Sequence, residues 1–174
     1  MRTRLITLSI IVFSIALFRL LPHPPNVSPI AAMALFGGVY FADRRLAFLV
    51  PFAALLLSDL LIGLHNTMLY VYAGFALTVL AGFYIRSKLS ATRIAAAAVF
   101  SSALFFGLTN FGVWLTSGMY PATASGLMQA YVAGIPFLQS SLLGNLAFTA
   151  LMFGGFALLQ QRFQVLRQNN ATFS

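Results

Sequence analysis

The sequence predicts an all-α integral membrane protein, a single bundle of six transmembrane helices. Only 7% of its 174 residues are charged, whereas a soluble domain of this size has about 25%. Hydrophobic residues make up 60% of the chain, and its mean hydropathy is +0.93. These residues form continuous runs close to the ~20 residues that a spanning helix needs, without the alternation that a membrane barrel requires.

Six apolar runs follow one another along the chain. They cover residues 5–21, 27–42, 46–64, 68–85, 94–115 and 135–159. The first ends at Arg19 and Pro22 without a small-residue cleavage motif, so it is predicted to be a retained helix and not a signal peptide. The second is short and holds the pair Gly37 and Gly38, and the third holds a single acid, Asp59. The last three contain no charge and are plain candidates for spanning helices.

The basic residues fall on one side of the predicted bundle. Six crossings place the connections alternately on two sides, and nine of the ten Lys and Arg residues fall on the side that holds both termini. Arg19 alone falls on the other side. Because short loops rich in Lys and Arg stay in the cytoplasm, both termini are predicted to be cytoplasmic. The bases are scattered singly between apolar runs, so they indicate topology and not nucleic-acid binding.

Three connections are predicted on the outer side. Residues 22–29 contain four prolines and should form a stiff, non-helical cap. Residues 63–67 should form a tight turn. Residues 116–139 form the longest predicted connection, which is uncharged and contains Gly, Pro and aromatic residues. Such a segment is typical of a lid or pocket wall, although Trp and Tyr also collect at the membrane surface without any such role.

Three polar residues lie within the predicted helices. A carboxylate in hydrocarbon costs at least about 2.5–3.5 kcal/mol, so Asp59 should face protein or water. Asp59 is a candidate ligand-binding residue, and the alternative is a structural ion pair with Arg19. Asn110 and Asn145 are candidates to line a polar cleft, or else to join helices by hydrogen bonds.

Two histidines lie on the predicted outer connections. His23 and His65 could share a metal, but no carboxylate accompanies them, and ordinary loop histidines are the more common case. No metal site is therefore predicted. The residues predicted to contact a ligand are His23, Asn26, Asp59, His65, Asn110, Trp114 and Tyr120.

Several functional classes are disfavoured by the sequence. The chain has no Cys, which removes thiolate chemistry and Cys-ligated metals. It contains no nucleotide-binding P-loop and no metalloprotease or serine-hydrolase motif. With two acids in total, a chain of proton-relay carboxylates is hardly available. The protein is predicted not to be an enzyme, and no cofactor is predicted.

The Pro-His-Pro-Pro-Asn stretch within residues 19–38 is the most distinctive segment of the chain. Together with residues 58–63, 110–114, 120–121 and 131–137, it resembles a group of small bacterial membrane proteins with no assigned activity. The likeness covers nearly the whole chain. That group in turn resembles the substrate-binding (S) components of energy-coupling-factor vitamin transporters, including small solitary cobalamin-type members.

The resemblance implies a six-helix protein of the bacterial cytoplasmic (inner) membrane, with both ends cytoplasmic. It implies a vitamin bound beneath the outer connections and a partner transmembrane coupling subunit driven by two ATPases. Some cobalamin-type relatives coordinate cobalt through a Cys, which this chain lacks. If cobalamin is the ligand, His65 is the candidate axial ligand.

We therefore expect the substrate-capture component of an uptake system for a vitamin or another small nutrient, with cobalamin as one candidate. The alternative is a membrane scaffold or assembly protein that transports nothing. The two differ in whether the outer connections enclose a ligand or contact another membrane protein.

Overall fold

The computed structural model describes residues 2–167, which form six α-helices. They are α1 (Arg2–Leu17), α2 (Ile30–Tyr40), α3 (Arg44–Ile62), α4 (Met68–Ile85), α5 (Ala91–Thr116) and α6 (Ala124–Arg162). Single turns of 3₁₀ helix follow α1, α4 and α6. The predicted all-α class and the six helices are confirmed. The sequence predicts a single domain over residues 1–174, of which residues 1 and 168–174 lie outside the described part.

Five of the six helices are long and apolar enough to cross a membrane: α1 with its 3₁₀ turn, α3, α4 with its turn, α5 and α6. Their lipid-facing sides carry many exposed Leu, Ile, Val and Phe side chains. In water such a surface would be costly. The chain is therefore a multi-pass membrane protein that contacts the lipid bilayer.

The second helix is shorter than predicted. The apolar run at 27–42 was expected to span the membrane, but α2 has only 11 residues, about 16 Å of helix against a hydrocarbon core of about 30 Å. Every residue of α2 after Ile30 is buried. The apolar character of this run therefore reflects burial among the other helices and not contact with lipid. The preceding prolines, the last of them Pro29, prevent an earlier helical start.

The last helix is much longer than predicted. Residues 116–139 were expected to be a long outer connection, but only residues 117–123 connect the two helices, and α6 runs for 39 residues. Thr123 caps its start, with the side chain accepting a hydrogen bond from the Gly126 N–H at 3.2 Å. Pro136 lies inside α6, where it removes one helical hydrogen bond. At about 58 Å, α6 exceeds the thickness of the hydrocarbon core.

The helices α2 and α4 cross at Gly38 and Gly82, where there is no room for side chains. A Cβ atom on Gly82 would lie 2.7 Å from the carbonyl oxygen of Leu35, and one on Gly38 would overlap the carbonyl oxygen of Val79. Helices in membranes approach closely where both partners are small. This crossing holds the short helix α2 at the centre of the bundle.

A buried aromatic cluster joins the C-terminal half of α2 to α6. It consists of Phe36, Tyr40, Phe153 and Phe156. The ring centroids of Phe36 and Phe153 are 5.5 Å apart, and those of Tyr40 and Phe156 are 4.7 Å apart, in edge-to-face geometry. Such pairs add to the energy of burial. This cluster fills the half of the bundle in which α2 ends.

Contacts between chain segments show which helix ends lie together. Arg4 near the start of α1 donates from Nε to the carbonyl oxygen of Leu166 after α6, at 3.1 Å. The guanidinium groups of Arg44 and Arg86 lie 5.9 and 5.1 Å from the ring centroid of Phe83. We call this the basic end, because nine of the ten Lys and Arg residues lie in or beside the segments that meet here. The α1–α2, α3–α4 and α5–α6 connections lie at the opposite end.

Candidate functional site

A cavity of about 500 Å³ lies between α5 and α6 at the end opposite the basic end. This volume is within the range of small-molecule sites, about 300–1,000 Å³. Parts of all three connections line it: Asn26 and Ser28 from the first, Thr67 at the end of the second, and Met119 and Tyr120 from the third. Asn26 and Met119 are exposed, so the cavity is open at this end.

Two facing helix stripes form its walls. The α5 stripe is Ser102, Phe105, Phe106, Thr109, Asn110 and Val113. The α6 stripe is Ala130, Ala133, Gly134, Phe137, Leu138, Ser141 and Asn145. Spacings of three and four residues place each set on one face of its helix. The α5 stripe covers about 16 Å of helix, so the cavity reaches well into the bundle.

The start of α2 forms part of the cavity wall. Ile30 and Ala31, its first two residues, line the cavity. Pro29 at the N-cap provides no side-chain hydrogen bond to the first turn. The first N–H groups of a helix have no carbonyl partner within the helix, so donors remain available where α2 meets the cavity.

The polar lining is uncharged. Among residues 2–167, those that line the cavity include no Lys, Arg, His, Asp or Glu. The polar members carry hydroxyl or amide groups: Asn26, Ser28, Thr67, Ser102, Thr109, Asn110, Tyr120, Ser141 and Asn145. The rest of the lining is aliphatic or aromatic, apart from Gly134. This is the mixture of apolar walls and a few placed polar groups that is typical of a ligand pocket.

Two asparagines in the lining donate to backbone carbonyls of α5. Asn110 donates from Nδ2 to the Phe106 oxygen at 2.8 Å. Asn145 donates from Nδ2 to the Ala98 oxygen at 2.8 Å and to Ser102 Oγ at 3.0 Å. Asn145 is 2% exposed, and its Oδ1 has no hydrogen-bond partner within the described residues. Ser28 Oγ is likewise buried and unpartnered there.

Asp59 belongs to a separate polar cluster. Its Oδ1 lies 2.6 Å from Arg19 Nη2, and its Oδ2 accepts a hydrogen bond from the Tyr72 hydroxyl at 2.9 Å. Arg19 also donates to the Ser58 hydroxyl. The side chains of Arg19 and Asp59 are 11% and 1% exposed. The ion pair that the sequence left as an alternative is thus present, and Asp59 does not line the cavity.

The sequence matches, over residues 1–166, a family of unknown function, DUF6580. The chain belongs to the DUF6580 family. No curated protein and no solved structure matches it. The family membership agrees with the predicted resemblance in that the family has no assigned function.

Three of the seven predicted ligand contacts line the cavity of this DUF6580 chain: Asn26, Asn110 and Tyr120. Trp114 lies beside the cavity without lining it. Its Nε1 donates to the Pro121 carbonyl at 2.9 Å, so it joins the end of α5 to the following connection.

The two histidines also lie outside the lining. His23 has Nδ1 2.7 Å from the Leu21 carbonyl oxygen, and its ring centroid is 5.4 Å from that of Phe18. His65 is exposed, with Nδ1 2.9 Å from Thr67 Oγ1. Among residues 2–167 of this DUF6580 chain, no group of three or more His, Asp or Glu residues is placed to hold a metal ion.

Several lining residues were not predicted. They are mainly small polar and aromatic side chains of the two stripes, such as Ser102, Phe105, Thr109, Phe137 and Ser141. The spacing of polar residues on α5 could have identified that stripe as one face of a helix. The α6 stripe was concealed because part of it was assigned to a connection.

Proposed function

We propose that this protein is the substrate-capture component of an uptake system for a vitamin or another small nutrient. The observation that carries the proposal is the uncharged cavity of about 500 Å³ at the end where the three connections meet. A scaffold that only contacts other proteins has no need of a deep cavity with hydroxyl and amide groups on its walls.

The distribution of charge supports an outward-facing cavity. Nine of the ten basic residues lie at or beside the basic end, and short basic loops stay in the cytoplasm. In the proposed orientation both termini are cytoplasmic, and the cavity opens on the outer face of a bacterial cytoplasmic membrane. A nutrient would enter past Asn26 and Met119.

The packing supports capture and not free passage. The residues that line the cavity stop at Asn145 on α6, and the aromatic cluster of Phe36, Tyr40, Phe153 and Phe156 occupies the following turns of that helix against α2. A bound molecule therefore meets a closed floor. Release to the cytoplasm requires a rearrangement, and the sequence has no P-loop with which to drive one. We propose that a transmembrane coupling subunit with ATPases supplies it.

The lining favours an organic ligand held by hydrogen bonds. His65, the candidate axial ligand for a corrinoid, lies outside the cavity lining. A bond from His65 to cobalt therefore gives no reason to favour cobalamin over other nutrients. Hydroxyl and amide groups on an apolar wall suit a small vitamin or related compound.

Mass spectrometry of small molecules that co-purify with the detergent-solubilised protein tests the proposal. The test variant is Ala133→Trp, which places a large side chain on the cavity wall. The matched control is Ala150→Trp, an exposed position on the same helix that does not line the cavity. We expect one compound in the wild type and the control, and its loss from Ala133→Trp. Absence of any retained compound, or equal retention in all three, would contradict the proposal.

Growth on limiting vitamin tests transport separately from binding. A vitamin auxotroph should need this gene when the vitamin that co-purifies is scarce and should not need it when the vitamin is abundant. Growth that does not depend on the gene for any vitamin would favour the scaffold alternative. Accessibility of tags on the two termini tests the orientation, and a tag reached from outside intact cells would refute it.

A further inference from the structure

The side-chain oxygen of Asn145 is an acceptor whose direction is fixed by the protein. Its Nδ2 lies 2.8 Å from the Ala98 carbonyl oxygen. A carbonyl can only accept, so the NH₂ group must face Ala98, and rotating the amide would set two acceptors against each other. Oδ1 is consequently turned away from α5, buried and without a partner among the described residues. Such a group is costly unless something donates to it.

A second unpartnered oxygen, that of Ser28, belongs to the same cavity lining. Val27 packs on Gly144, where a Cβ atom would lie 3.1 Å from the Val27 Cα. The next residues along both chain segments are Ser28 and Asn145, which both line the cavity and both have buried side-chain oxygens with no partner. Two buried oxygens without a partner among the described residues thus belong to the lining of one cavity.

Other polar groups along α5 also offer acceptors. Asn110 uses one N–H of its NH₂ group on the Phe106 carbonyl at 2.8 Å, which leaves its oxygen to accept and its second N–H to donate. Thr109 donates its hydroxyl proton to the Phe105 carbonyl at 2.7 Å, which leaves only lone pairs. Asn110 is eight residues from Ser102, the serine bound by Asn145, so the two ends of this acceptor row are about 12 Å apart.

The absence of charge from the lining restricts the ligand further. Among the described residues no ionisable Lys, Arg, His, Asp or Glu faces the cavity. An ion taken from water into such a site would have no side chain of opposite charge to pair with, which is unfavourable. The phenylalanines of the two stripes, Phe105, Phe106 and Phe137, provide apolar surface for the remainder of the molecule.

We infer that the captured nutrient is neutral and carries an N–H or O–H donor that binds Asn145 Oδ1, with Ser28 Oγ as a second partner in the cavity. This inference rests on the proposed function, because it specifies what the capture site selects. Asn145 is then a specificity-determining residue, and its hydrogen bonds to Ala98 and Ser102 hold the amide in place for the ligand.

The experiment uses the detergent-solubilised full chain incubated with a metabolite extract of cells, followed by washing and mass spectrometry of the retained compounds. The variants are Asn145→Leu, which removes the acceptor, and Ser28→Ala, which removes an atom that bonds to nothing in the described protein. The control is Ser101→Ala, because Ser101 is buried on α5, donates to the Ala97 carbonyl and does not line the cavity.

We expect the wild type and Ser101→Ala to retain a compound that is uncharged at pH 7 and has exchangeable protons by deuterium labelling. Retention should fall about tenfold or more in Asn145→Leu, since the ligand donor is left unpaired, and about fivefold in Ser28→Ala. The unfolding temperature of Ser28→Ala should be unchanged or higher. If Asn145→Leu does not fold, the retention measured for Ser28→Ala tests the inference.

Three results would overturn the inference while leaving the proposed function intact. The first is a retained compound that is charged, and the second is a retained compound with no exchangeable proton. The third is equal retention by the wild type and both cavity variants, which is expected if water alone donates to Asn145 Oδ1 and Ser28 Oγ. Retention of nothing by the wild type would instead refute the proposed function itself.

Discussion

Removing the carboxylate of Asp59 should destabilise the protein strongly. Asp59→Ala leaves the guanidinium of Arg19 with only 11% of its side chain exposed and without the oxygen that now lies 2.6 Å away. It also removes the acceptor of the Tyr72 hydroxyl. A buried charge without a partner still carries the free-energy cost of its removal from water. It no longer has the attraction to the opposite charge that offset this cost. We therefore expect loss of stability and not a selective loss of ligand binding.

The magnitude follows from the burial of both partners. Breaking a buried ion pair by removing one member costs about 3–5 kcal/mol, which corresponds to about 10 °C in unfolding temperature for a chain of this size. Replacing both members by apolar residues should cost much less, because no charge remains unpaired. The double variant Arg19→Met with Asp59→Leu should therefore be more stable than Asp59→Ala.

Thermal unfolding of the detergent-solubilised protein measures these differences. Asp43→Ala is the matched control, because Asp43 is the only other acid in the sequence. It is exposed and caps α3 by accepting from the Arg45 N–H at 2.7 Å, so its loss should cost about 1 kcal/mol. An Asp59→Ala protein that unfolds at the temperature of Asp43→Ala, or a double variant less stable than Asp59→Ala, would refute this reasoning.

Three further outcomes are expected. Gly38→Ala should lower the free energy of unfolding by about 2–3 kcal/mol because its Cβ meets the α4 backbone. The control Gly154→Ala, where a Cβ meets nothing, should be neutral or slightly stabilising. Equal stabilities of the two variants would contradict the close crossing of α2 and α4. Tyr72→Phe should cost about 2 kcal/mol through the lost bond to a carboxylate, and an unchanged unfolding temperature would show that this bond adds nothing. Trp114→Phe should speed proteolysis of the connection at 117–123 a few-fold, because the bond to a carbonyl in that segment is lost; an unaltered cleavage rate would argue against the tether.

The helices that face lipid were the easiest to predict from the sequence. In α4, for example, the predicted run at 68–85 agrees with the helix Met68–Ile85, because lipid contact requires an uninterrupted apolar surface and the flanking polar residues end it. The short α2 has the same apolar composition for another reason, since it is enclosed by protein. Hydropathy alone does not distinguish burial in lipid from burial in protein.

The candidate site was predictable only in part. Asn110 and Asn145 were recognised as polar residues inside helices, but only the folded structure shows that both tie their NH₂ groups to α5 and leave their oxygens free to accept. The partner of Asn145 is 47 residues away, and no local pattern indicates such a distant bond. The uncharged, Gly- and Pro-containing stretch before Pro136 has loop-like composition, and its helical state depends on packing against α5, as in the bond from the Tyr131 hydroxyl to the Gly107 carbonyl at 2.9 Å.

The early end of α2 helps to explain why this small helical bundle contains a cavity. A second helix that spanned the hydrocarbon core would be about 14 Å longer, and the first two residues of α2, Ile30 and Ala31, line the cavity. The cavity thus adjoins the point where the main chain leaves its helical course, and small residues of α6 such as Ala133 and Gly134 line its other side. Under the proposed function, exchanging residues on the α5 and α6 stripes would change which compound binds while the helical architecture stays the same.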